Sequence, residues 1–79
     1  MSPTIFTTGG LRFFFFSREE SRLHVHVSGP SGEAKLWLEP RIEVARNHSM
    51  TPNDLRKALR IVEERADEIR TAWREHFWG

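Results

Sequence analysis

Residues 23–39 read LHVHVSGPSGEAKLWLE, and the fold turns on how the two halves of this stretch pair. Leu23, Val25 and Val27 alternate with His24 and His26; beyond the turn-forming SGPSG of 28–32, Ala34, Leu36 and Leu38 alternate with Lys35 and Trp37. Successive side chains on a strand point to opposite faces, so each half has one apolar side. A loop of Gly29 to Gly32, closed by Ser28 and Glu33, sets Val27 opposite Ala34, His26 opposite Lys35, Val25 opposite Leu36 and His24 opposite Trp37. A slip of one residue would turn an apolar set toward water, which is what holds this register. The hairpin then has an apolar face and a second face carrying His24, His26, Lys35 and Trp37.

Outward from the hairpin, LRFFFFS at 11–17 is rich in strand formers and too short for a helix. TTGG at 7–10 reads as a turn and REES at 18–21 as a polar connection. Beyond Pro40, RIEVA at 41–45 reads as a fourth strand or an extended approach to a helix. The helix itself has clear marks: Thr51 as N-cap, Pro52 in the first turn, Asp54 at the third position, then Leu55, Leu59, Val62, Ala66, Ile69, Trp73 and His76 at spacings of four and three. Ile61 falls off that stripe. The predicted fold is α+β, a small antiparallel sheet of three or four strands over about 4–46, with one long C-terminal helix over about 52–76 packed on one face. The chain reads as a single domain, 1–79.

The four phenylalanines, residues 13–16, follow from this geometry. Phe13 and Phe15 share one strand face, Phe14 and Phe16 the other, and one helix covers only one face. The surplus rings predict self-association as a homodimer, or a partner protein, or a ligand-binding face. A short chain points the same way. Seventy-nine residues with no cysteine bury only about 60% of their unfolded surface and cannot use a disulfide.

Composition narrows the rest. Hydrophobic residues make 38% of the chain, with no apolar run of membrane-spanning length and no signal-peptide pattern at the start, so a cytoplasmic protein without membrane association is expected. Twelve Lys and Arg stand against eleven Asp and Glu, six against five in 1–50 and six against six in 51–79, so no basic tail or field points to nucleic acid, though a local patch is compatible with it. Gly-x-Ser-x-Gly, P-loop and dinucleotide fingerprints are absent.

The segments MSPTIFTTGGLRFFFFSREE, HVHVSG, GEAKLWLEP and LRKALRIVEERADEIRTAWREHF together resemble a small bacterial family, domain-of-unknown-function family 4160, over nearly the whole chain. Where the family carries prolines before its histidine strand, this chain has Arg22 and Leu23. The resemblance marks His24, His26, Glu33 and Lys35 as positions matching the family pattern. It also implies a toxin–antitoxin association, which rests on gene neighbourhood and assigns no chemistry.

Three readings of the histidines remain open. His24 and His26, about 6–7 Å apart along one strand face, are candidate ligands of a divalent metal such as zinc. A site would need a third ligand from His48, Glu33 or a second chain. Alternatively His24, His26, Lys35 and Trp37, with Arg12 near, bind nucleic acid through ring stacking and phosphate contacts, the histidines serving as acid and base in a histidine-dependent or metal-assisted nuclease. The third reading is structural packing, with no cofactor. A non-enzymatic binding or interaction protein, a component of a toxin–antitoxin-like pair, is the leading expectation.

Overall fold

The computed structural model describes residues 4–15 and 22–77. Five strands form one antiparallel sheet in chain order: β1 (Thr4–Thr8), β2 (Leu11–Phe14), β3 (His24–Ser28), β4 (Glu33–Trp37) and β5 (Glu43–His48). Two helices follow, α1 (Pro52–Glu64) and α2 (Ala66–Phe77). The α+β class stands. The strand number is five rather than three or four, and the single long helix is two.

The central hairpin has the register its alternation requires: His24 faces Trp37, Val25 Leu36, His26 Lys35, Val27 Ala34 and Ser28 Glu33. The Gly29 amide donates to the Gly32 carbonyl at 2.9 Å across the loop. The additional strands come from both ends. TIFTT pairs with β2 because Gly9 and Gly10, at φ 60° and 79°, supply the two left-handed residues a tight hairpin needs. The segment around RIEVA becomes β5, extending to His48, with an irregularity opposite Lys35 and Leu36.

The helix divides at Arg65, whose backbone (φ −118°, ψ 25°) leaves helical geometry. No proline or glycine marks the place. Hydrogen bonding steps across it, Arg65 N–H to the Ile61 carbonyl at 2.9 Å and Ile69 N–H to the Arg65 carbonyl at 3.1 Å. The Arg65 guanidinium lies 3.6 Å from the centre of the Phe6 ring and donates twice to Glu68, each bond 2.9 Å. The break re-phases the apolar stripe. Ala58, Ile61 and Val62 are buried on α1, Ile69 and Trp73 on α2; Leu55 and Leu59 are half-buried and His76 is exposed. Ile61, off the predicted stripe, thus belongs to the core.

That core lies between the helices and one sheet face: Leu11, Phe13, Phe15, Leu23, Val25, Val27, Ala34, Leu36 and Leu38 meet Met50, Ala58, Ile61, Val62, Ile69 and Trp73. Phe13 and Phe15 are on this face as expected. Phe14 takes the other, and Phe16 lies outside the described residues, as do the REES connection and Trp78.

The start of α1 is bonded to the β3–β4 loop. Thr51 Oγ1 accepts from the Asp54 amide at 3.2 Å, Ser31 donates to Asp54 at 2.7 Å, and the Thr51 amide donates to Ser31 at 3.1 Å. Asn47 closes the turn beyond β5, accepting from the Met50 amide at 2.9 Å and donating to its carbonyl at 3.1 Å, while Ser49 takes φ 68°. Gly32 is pressed against this turn: a Cβ there would sit 2.2 Å from the His48 carbonyl oxygen and 2.7 Å from the Met50 nitrogen. Both are backbone atoms and cannot swing aside. Gly32→Ala is expected to destabilise the fold by about 1–3 kcal/mol, as overpacking does. Urea unfolding measures it, and an unchanged midpoint would contradict the close approach.

Candidate functional site

The face away from the core is assembled by the strand pairings. The row His26–Lys35–Arg46 runs across β3, β4 and β5, each residue directly opposite the next. Glu33 and His48 continue the same face toward one end, and Phe14 of β2 borders it through His26. These five polar side chains, with Phe14 and Ala34, line one pocket of about 190 Å³. A single water needs only ~10–15 Å³ of such space, so the pocket holds a group of several atoms.

Rings and cations are interleaved beside it. Phe14 stacks on His26 with centroids 5.6 Å apart, and the Arg12 guanidinium lies 4.4 Å from the Phe14 centroid. The Trp37 ring has Arg22 at 4.0 Å and Lys35 at 4.5 Å. Arg22 also reaches Glu43 at 3.5 Å and donates to the Glu39 carbonyl at 2.7 Å. Among the described residues, Arg12, Arg22, Lys35 and Arg46 stand on or over this face against Glu33 and Glu43. The even charge of the whole chain therefore hides a local cationic excess, with Glu43 already held by Arg22.

Of the predicted site residues, His26, Lys35 and Glu33 share the pocket, and Trp37 and Arg12 flank it. His24 is set apart. It is on the same strand face, but 0% exposed, with Trp37 at 5.6 Å, His26 at 5.2 Å and Trp73 of α2 at 5.1 Å between centroids. Its Nδ1–H donates to the Arg22 carbonyl at 2.7 Å, which orients the ring. The surface drawn from the register thus loses one member: His24 lies beneath it, under a tryptophan that the second helix carries to the end of the sheet.

Arg46 was outside the predicted set, and His48 entered only as a third metal ligand. The irregularity that matches Leu36 to Val44 but Lys35 to Arg46 inserts Ala45 and breaks the alternation of β5, so no period in EVARNH tells which residues share a face. Among the described residues no three His, Asp or Glu side chains converge closely enough to hold a metal ion. His26, Glu33 and His48 are spread along the pocket wall instead.

A family model described as Domain of unknown function (DUF4160) matches residues 10–74. The chain belongs to this family. The match takes in β2 to β5, all of α1 and most of α2, so the pocket of this DUF4160 protein lies wholly within the shared region. No curated protein and no solved structure matches it. No helix among its described residues is long and apolar enough to cross a membrane.

Proposed function

We propose that this DUF4160 protein is a small binding protein whose sheet face away from the core takes single-stranded nucleic acid. The observation that carries the reading is the row His26–Lys35–Arg46 lining one pocket with His48, beside a half-buried Trp37 that Arg22 and Lys35 both approach. Lys35 lies directly opposite Arg46, and two cations so placed can both reach one bound phosphate. Trp37 puts an aromatic ring next to that phosphate, where a base displacing one of its cations would stack.

The test is fluorescence anisotropy with a labelled mixed-sequence RNA strand. Three phosphate contacts, from Arg12, Lys35 and Arg46, give a log–log salt slope near −2, so affinity falls roughly 20-fold between about 50 and about 200 mM salt. Arg46→Ala should weaken binding and flatten the slope by about 0.7. No binding at the lower salt would reject the reading.

A second reading is an interaction protein of a toxin–antitoxin-like pair, whose partner chain adds a strand to β5. It is favoured by Val44, a large hydrophobic side chain exposed on that edge strand. Val44→Lys separates the two, since it blocks strand addition and leaves the pocket intact.

A further inference from the structure

We propose that the pocket cleaves the RNA it binds, without a metal, by attack of a ribose 2′-hydroxyl on the neighbouring phosphodiester. This rests on the nucleic-acid reading above. The pocket holds two imidazoles, His26 and His48, with the cations Lys35 and Arg46 between them along the sheet. His26 lies opposite Lys35, Lys35 opposite Arg46, and His48 two residues beyond Arg46. Ideal strand spacings put the two histidine Cα atoms about 12 Å apart on that diagonal. A phosphate resting on Lys35 and Arg46 would lie between these two histidine positions.

The chemistry closes with these groups alone. One imidazole, neutral, accepts the 2′-hydroxyl proton as the 2′-oxygen bonds to phosphorus. The P–O5′ bond breaks, and the other imidazole, protonated, gives its proton to the departing 5′-oxygen. The products are a 2′,3′-cyclic phosphate and a 5′-hydroxyl, and the two rings have exchanged protonation states. Imidazole is the side chain suited to both roles near neutral pH. Lys35 and Arg46 place positive charge where the five-coordinate phosphorus accumulates negative charge.

The full chain is incubated in EDTA with a short mixed-sequence RNA and with the same strand 2′-O-methylated throughout; binding is followed by anisotropy and products by mass spectrometry. The expected result is that both strands bind, only the RNA is cut, and the fragments end in 2′,3′-cyclic phosphate, with a bell-shaped pH–rate profile. His48→Ala and His26→Ala should each lower the rate by about 100-fold or more, with binding changed only a few-fold. His48 is exposed, so its variant keeps the fold; His48→Gln provides a second check of the same size. RNA bound but uncut would overturn cleavage and leave the binding reading in place. Cutting that persists in the His26→Ala/His48→Ala double variant, or that acts on the methylated strand, would also overturn it. Failure to bind either strand would remove both readings together.

Discussion

Val62→Asp will leave the chain unfolded at room temperature. Val62 is 0% exposed, on α1 between the sheet and the second helix's core residues. A carboxylate there has no cation within the core cluster, whose members are all apolar. Burying an unpaired charge costs several kcal/mol even after relaxation, and the lost valine removes roughly 1.5–3 kcal/mol more. A chain of 79 residues has only ~4–12 kcal/mol of total stability. Collapsed amide dispersion in a proton–nitrogen spectrum is the readout; a native-like spectrum would mean that α1 does not pack where described.

The second large effect is at Trp73. Its ring meets Phe15 edge-on at 5.4 Å, His24 at 5.1 Å and Phe77 at 4.2 Å. Trp73→Ala empties the joint between α2 and the end of the sheet. Such truncations cost about 3–5 kcal/mol, which for a domain of this size lowers the melting temperature by at least about 12 °C. The variant also uncovers His24. Its ring-proton shifts, set by the neighbouring indole, are expected to move in the variant. A melting temperature within a few degrees of the parent would show that α2 is held by other contacts.

The contrast between these two sites shows what was legible in the sequence. The apolar alternation around Val25 and Leu36 admits only one register, because every other one exposes half of the core. The N-cap at Thr51 was equally plain, since its hydroxyl and Asp54 belong to one local motif. TIFTT was harder: a short, half-polar edge strand has little apolar content of its own and is defined by its partner β2. The break at Arg65 involves no helix-breaking residue and depends on where Phe6 and Glu68 lie in three dimensions. For the same reason the sequence supplied His26, Lys35 and Glu33 as neighbours but could not bring Arg46 to them. Their joining depends on an inserted residue in β5, and the burial of His24 depends on a tryptophan forty-nine positions away.

Because strand order equals chain order, each strand can pair with the one synthesised just before it. Sheets of this kind close short loops and are quick to form. The helices, however, are made after the sheet. On the ribosome the sheet therefore presents Phe13, Phe15, Val25, Val27, Leu36 and Leu38 to water until α1 and α2 have emerged. That interval exposes a flat apolar surface with two open edges, the condition under which nascent chains aggregate. The order of the elements makes arrival of the two helices the step that covers an adhesive sheet.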